Sequence, residues 1–157
     1  MRMSMLFGRT LREAPSGVEV EGHKLLLRAG FVRQLSAGVF SYLPLAKRSI
    51  GKIEDILREE MEAVGGQEVS MPVVQPADVW KRSGRYRSTG RELIRLRDRR
   101  EREMVLAMTH EEIVAGLAEG EVDSYQRLPR LVYQIQTKFR DDPRPRAGLI
   151  RAREFTM

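Results

Sequence analysis

The sequence predicts an α+β fold, helices alternating with antiparallel hairpins, and three stretches carry that reading. From Leu131 to Arg140 apolar and polar residues alternate, with Leu131, Tyr133, Ile135 and Phe139 on one side and Gln134, Gln136, Lys138 and Arg140 on the other. That is the period of a half-buried strand, one face core and the other charged. Two prolines and a glycine in 142–148 interrupt it, and Leu149 to Met157 resumes extended character, so a return strand should pair antiparallel with the first. The second stretch begins at Pro44, a residue suited to a first helical position. Ile50, Ile53, Leu57, Met61 and Val64 then recur at spacings of three and four until Gly65-Gly66 stops the run. In the third, Leu93–Arg97 and Glu103–Ala107 bracket Asp98-Arg99-Arg100-Glu101 as a hairpin with arginines on one face.

On the return strand, strict alternation would place Arg151, Arg153 and Phe155 together. Beside Lys138 and Arg140 they offer guanidinium groups for polyphosphate oxygens and an aromatic plane for a base, which points to a nucleotide site. On the residues alone, an arginine-rich hairpin in solvent with Phe155 in the core is the better reading, because charge runs usually mark a solvated face.

Composition narrows the chemistry. At 157 residues the chain has the size of one ordinary domain and should fold as one unit. Charged residues make up 32% and apolar ones 41%, and no apolar run approaches the ~18 residues of a membrane span. The N-terminus is apolar only briefly before Gly8-Arg9, so no signal-peptide core is expected and the cytoplasm is the default. With no cysteine and two histidines, thiolate zinc sites, disulfides, thiol nucleophiles and multi-histidine metal centres are excluded, and no metal ligands are assigned. Such an enzyme must work by positioning and charge stabilisation, which suits phosphoryl and nucleotidyl transfer. A formal net charge of +6 favours an anionic partner, RNA or ATP, without choosing between them.

Other segments complete the order. Arg9–Glu13 reads as a short helix ended by Pro15, and His23–Ala29 as a helix closed by Gly30. Phe31–Leu35 and Val39–Leu43 flank Ser36-Ala37-Gly38 as a small hairpin. Gln67–Met71 is a strand stopped by Pro72, and Pro76–Ser83 a short helix anchored by Trp80. Between Lys81 and Arg102 ten Lys/Arg face three Asp/Glu, a basic stretch that reads either as a nucleic-acid contact or as a solvated surface. Thr109 is a plausible N-cap for the next helix, with Glu112 at the capping-box spacing; the box leaves Glu111 unexplained, and His110 is read as structural.

Together these words resemble a known family. Phe139-Arg140-Asp141-Asp142, a loop, then Arg151-Ala152-Arg153-Glu154-Phe155 looks like motif 2 of the class II aminoacyl-tRNA synthetases. The helix from Pro44, the two glycines and the strand closed by Pro72 look like motif 1. Leu26–Gly30 and Tyr42-Leu43-Pro44-Leu45, a segment close to the catalytic pocket in that family, together with Thr109-His110-Glu111, narrow the likeness to bacterial-type prolyl-tRNA synthetases. The resemblance implies a class II antiparallel sheet flanked by helices, residues 1–157 being the N-terminal part of the catalytic domain with motif 3 absent. It implies that Thr109 and Glu111 hold the secondary amine of proline and that Arg140, the catalytic residue, holds both the ATP α-phosphate and the amino acid's carboxylate. Asp142, where the family has Glu, would meet the adenine amino group, Arg151 the terminal phosphates, and Phe155 the adenine ring. ATP with Mg²⁺, proline and tRNA(Pro) are the implied cofactors and partners, with a homodimer through residues 44–72. Threonyl relatives hold their substrate through a zinc site that includes a cysteine, so proline is favoured over threonine.

The expectation for activity is therefore a proline-tRNA ligase of which this chain, ending at Met157, is a fragment weak or inactive alone. The alternative is a non-catalytic truncated paralogue that dimerises or binds tRNA. Asp142, Ala147, Ala152 and the pair Ala107-Met108, where the family has Gly-Pro, motivate it.

Overall fold

The computed structural model describes residues 2–145 and 148–157. Its contacts group into two units, Met1–Glu59 with Arg144–Glu154, and Glu60–Pro143 with Phe155–Met157.

In the first unit, helix α1 (Glu21–Arg28) buries His23 and Leu27 and ends where Gly30 takes φ +73°, as its closing glycine predicted. Strands β1 (Val32–Ser36) and β2 (Val39–Tyr42) form the expected hairpin, Val32 opposite Tyr42, with an irregularity between Gln34 and Ser36. Its turn requires Gly38: φ is +76°, and an added Cβ would lie 2.7 Å from Pro145 and 3.1 Å from Arg153. Leu27, Val32 and Ala46 make the core, with Val18, Leu26, Phe31 and Leu149 packed around them. The helix expected over Arg9–Glu13 is absent. Five residues are too few to nucleate a helix without tertiary support, and the backbone is satisfied otherwise, the Leu11 amide donating to the Arg28 carbonyl at 2.8 Å.

Helix α2 (Pro44–Ala63) closes as its glycines suggested. The Gly65 amide donates to Glu62 and the Gly66 amide to Met61, at 2.9 and 2.8 Å, with Gly65 left-handed. Of its residues only Ala46 is fully buried, whereas Ile53, Ile56 and Leu57, and Val64 just beyond its end, are exposed.

In the second unit, β3 is only Gln67–Glu68, shorter than the strand expected to Met71, and it runs parallel to β7 (Val132–Tyr133). β4 (Val74–Pro76), β5 (Arg95–Arg97) and β6 (Glu103–Leu106) form an antiparallel sheet in the order β4-β6-β5. Helices α3 (Ala77–Arg82) and α4 (Arg85–Ser88) lie between β4 and β5 in the chain, and Ala77, Trp80, Leu93 and Val105 form the core. Helix α5 (Glu111–Glu121) follows β6.

The long hairpin of the sequence reading is present but shorter, and the division into a core side and a charged side is not kept. The 131–140 stretch divides into β7 and β8 (Thr137–Phe139), and β8 pairs with β9 (Glu154–Thr156). Gln136 and Met157 exchange both backbone hydrogen bonds, at 3.0 and 3.1 Å, the signature of an antiparallel pair. Residues 148–150 are a 3₁₀ turn instead of strand, so Arg151 and Arg153 precede β9 and share no strand face with Phe155. Gly148, at φ +62°, makes that turn against the ring of His23, where a Cβ would come within 2.6 Å of Cγ. Arg146 and Ala147 of the predicted loop lie outside the described residues. Both sides are partly covered: Gln134, Gln136 and Arg140 are half-buried like Tyr133, Ile135 and Phe139, while Lys138 of the side read as charged is 0% exposed and Leu131 of the side read as core is 44% exposed.

Candidate functional site

The site grows from the end of β6. Ala107 is fully buried and bonds on both sides, its amide donating to Val73 at 2.7 Å and its carbonyl accepting from Phe139 at 2.8 Å. Residues 107–110 are thereby laid beside β8, which brings Thr109 and Glu111 alongside the strand that leads into Arg140. The Thr109 hydroxyl donates to the Glu111 carboxylate. Thr109 is buried, whereas the Glu111 side chain is 72% exposed, so the loop presents an open carboxylate steadied from below.

The capping box is corrected. His110 occupies the N-cap, without a side-chain cap bond, and Thr109 spends its hydroxyl on Glu111. Glu112 faces inward with 3% side-chain exposure, taking Arg85 Nη1 at 3.0 Å and Ser83 Oγ at 3.1 Å; its Oε2 is buried without a hydrogen-bond partner. Arg85 also lies 3.7 Å from Glu111, and its guanidinium sits 5.2 Å over the Trp80 ring. A fully desolvated carboxylate binds an arginine more strongly than an exposed backbone amide could hold it, and that competition decides the geometry.

Beneath the loop lies a buried polar chain. His110 Nε2 meets the Pro72 carbonyl at 3.2 Å, and its Nδ1 accepts from the Lys138 ammonium at 2.6 Å; Lys138 also donates to Gln134 Oε1 at 2.9 Å. An ammonium is donor only, which assigns the neutral imidazole with its proton on Nε2. Burial, and then the Lys138 charge, lowers the His110 pKa below its ordinary 6.5, consistent with that neutral form. Burial also lowers Lys138 below 10.5, opposed by the charge of Glu111. Gln75, buried as well, accepts from Trp80 Nε1 at 2.7 Å and donates to the carbonyls of Pro72 at 3.2 Å and Thr109 at 3.5 Å.

Arg140 leaves the end of β8 half-buried, its Nε without a hydrogen-bond partner and its guanidinium 5.1 Å over the ring of Phe155. That contact is a cation–π pair across the β8–β9 hairpin. Asp142 is 8% exposed, and its amide donates to the Arg140 carbonyl at 2.8 Å. Thr109, Glu111, Arg140, Asp142 and Phe155 therefore belong to one compact unit, while Arg151, exposed after the 148–150 turn, belongs to the other. Among the described residues no group of three or more His, Asp or Glu is arranged to hold a metal ion.

Sequence reasoning read Lys138 as a phosphate contact and Glu112 as a cap, and it missed Arg85 and Gln75 and the buried polar network altogether. Gln134, Gln136 and Lys138 at alternate positions were the available signal, since three successive polar residues on one strand face can equally line a buried polar network.

Residues 93–157 match the family model of the tRNA synthetase class II core domain (G, H, P, S and T). Over its whole length the chain is 63% identical to the proline–tRNA ligase of Salinispora tropica and 59% identical to that of Pelotomaculum thermopropionicum, covering 26% and 28% of those proteins. The chain thus spans about a quarter of the length of the curated relatives it matches. Giardia lamblia prolyl-tRNA synthetase, solved in complex with prolyl-adenylate, superposes with a TM-score of 0.73 at 25% identity, over 80% of this chain and 27% of that one. Helices with antiparallel sheets, as described above, are the class II synthetase architecture, and the chain is similar over its whole length to the corresponding quarter of proline–tRNA ligases, with the class II core-domain match confined to residues 93–157.

Proposed function

We propose that this chain supplies the amino-acid loop and the phosphate-binding strand of a proline–tRNA ligase, residues 1–157 forming the N-terminal part of its catalytic domain. The observation that carries the reading is the hydrogen-bonded alignment of residues 107–110 beside β8, which sets the open Glu111 carboxylate near the strand that delivers Arg140. Glu111 and Thr109 receive the cationic secondary amine of proline. Arg140 binds the carboxylate of proline and the α-phosphate of ATP. The proline carboxylate oxygen attacks the α-phosphorus, pyrophosphate leaves, and prolyl-adenylate results; tRNA(Pro) then takes the prolyl group. Because the substrate is its own nucleophile, orientation and charge stabilisation are what the protein must supply.

Asp142 is assigned to the adenine amino group, Phe155 to the adenine ring and Arg151 to the terminal phosphates. Mg²⁺ would be carried by the ATP phosphates, where one or two carboxylates and water normally suffice. A homodimer through residues 44–72 accounts for the open apolar side of α2, where Ile53, Ile56 and Leu57 are about half exposed or more. Among the described residues no helix is long and apolar enough to cross a membrane, and the proposed compartment is the cytoplasm.

The test is a thermal melt of this chain with a non-hydrolysable prolyl-adenylate analogue beside a threonyl one. A melt raised by the prolyl compound alone is the expected result, because a ligand that binds only the folded state must stabilise it. A cooperative melt unmoved by either would transfer the chain to the non-catalytic reading, a module that dimerises or binds tRNA. Proline-dependent ATP/pyrophosphate exchange by the 157-residue chain alone should be far slower than that of a full-length synthetase.

A further inference from the structure

None of the roles above uses Lys138 or His110, yet both are 0% exposed and joined by a 2.6 Å hydrogen bond. Among the described residues no carboxylate comes within ion-pair distance of the Lys138 ammonium; it is held by two neutral acceptors, His110 Nδ1 and Gln134 Oε1. A buried cation with no direct ion pair, offset only by the more distant charge of Glu111, is costly, and stability alone would favour an apolar side chain there. The location explains what the cost sustains. His110 stands between Thr109 and Glu111 and is tied at its far nitrogen to the Pro72 carbonyl. Lys138 is two residues ahead of Arg140, and along an extended strand that spacing returns to the same face. One side-chain hydrogen bond thus joins the loop carrying the amino-acid contacts to the strand carrying the phosphate contact.

We propose that Lys138 and His110 are a positioning pair that sets the Thr109–Glu111 loop against Arg140, so that the imino and α-phosphate subsites are held at one separation. This rests on the proline-ligase reading of the site. Neither residue touches substrate. The neutral imidazole receives the ammonium on one side and grips the Pro72 carbonyl on the other, so the loop cannot shift without breaking one of the two bonds. A misplacement of order 1 Å between reacting groups is enough to cost on the order of 100-fold in rate.

The experiment compares the 157-residue chain with Lys138→Met, which keeps the stem and removes the ammonium, with His110→Gln, and with the double variant. Dissociation constants are measured for the prolyl-adenylate analogue and for ATP alone. Amide exchange over residues 110–113 and the ¹⁵N signature of the His110 ring are recorded in parallel. The expected result is about tenfold weaker analogue binding by Lys138→Met with ATP affinity changed less than about twofold, and a double variant no weaker than the worse single one, as for two residues acting as a unit. Equal losses for both ligands would make the pair a stabilising contact only, and unchanged analogue affinity with an unchanged imidazole signature would remove it from the site; either overturns the proposal. If the unmutated chain binds neither ligand, the ligase reading falls by itself. Faster exchange over 110–113 and an altered His110 tautomer in Lys138→Met would still uphold the pair, and unchanged exchange would sink it too.

Discussion

The hairpins β5–β6 and β8–β9 both carry basic residues, and they treat them in opposite ways. On β5, Arg95 and Arg97 are exposed; Arg97 meets Glu101 at 3.1 Å, and Arg102 of the same turn region meets Asp98 at 2.6 Å. Arg95 covers the ring of Tyr86 at 4.8 Å and donates to the Gly90 and Leu93 carbonyls. On β8, Lys138 is buried among neutral partners, and Arg140 follows with a desolvated Nε. β5 is the edge of its sheet, where charges in water cost little and discourage pairing with other strands. The polar face of β8 packs on residues 71–75 and 110, with the Gln136 amide bridging the backbone of Met71 at 2.8 and 2.6 Å. Cations that burial makes expensive mark the site, and cations that solvent makes cheap mark the surface.

The largest expected effect separates the two hairpins directly. In a full-length ligase carrying this segment, Arg140→Ala should lose roughly 3 kcal/mol or more of transition-state stabilisation, on the order of 100-fold in proline-dependent ATP/pyrophosphate exchange. Arg97→Ala should leave the same assay within about twofold. Similar losses for the two would end the contrast.

Next come the ion pairs. Glu112→Ala strands Arg85 and Ser83 and should destabilise the fold by about 1–3 kcal/mol in urea unfolding, the range being held down because the Arg85 side chain is 41% exposed. The exposed pair Arg82–Glu119, above 70% exposed on both sides, should give less than about 0.5 kcal/mol on Glu119→Ala. If the second equals the first, burial is not what distinguishes them.

A smaller and pH-dependent effect follows from the histidines. Burial lowers the pKa of both His23 and His110 below 6.5, so the folded state favours their neutral forms and the unfolded chain binds protons first as pH falls. Their contribution is intact above pH 6.5 and is lost as pH drops from 6.5 through the lowered folded values, by at most about 1.4 kcal/mol per pH unit for each. Urea midpoints at pH 7.5, 6.5 and 5.5 should decline, and His110→Gln should flatten the decline; an unflattened one would mean His110 does not carry it.

The smallest effect on the monomer lies on α2. Ile53→Glu with Leu57→Glu should abolish self-association in sedimentation velocity while moving the stability of the dissociated chain by less than about 0.5 kcal/mol, since both side chains are about half exposed or more in one copy. A loss of fold would show that the face packs internally.

Much of this was legible residue by residue. Gly30, Gly38 and the Gly65-Gly66 stop are backbone requirements, and local steric chemistry states them without tertiary information. The hairpins 32–42 and 95–106 follow from apolar runs with a turn between them. What failed was competition among partners. Thr109 looked like a cap because the spacing to Glu112 fits, but Arg85, 27 residues before Glu112, outbids the backbone for that carboxylate. The first part of the strand expected over 149–157 gave way to a turn where Gly148 seats against His23, a contact the local pattern does not contain, and only Glu154–Thr156 remained strand.

The amino-acid sequence by itself determined the stops at Gly30 and Gly65-Gly66, the hairpins 32–42 and 95–106, which chemistry its side chains can perform, and the candidates Thr109, Glu111, Arg140 and Phe155. Those are properties of local backbone sterics and residue type. Only the tertiary structure decided that Lys138, on the side of the 131–140 alternation read as charged, is interior, and hence that it meets His110 behind the loop. Period-2 alternation is symmetric between its two faces; packing and desolvation by segments distant in the chain break that symmetry.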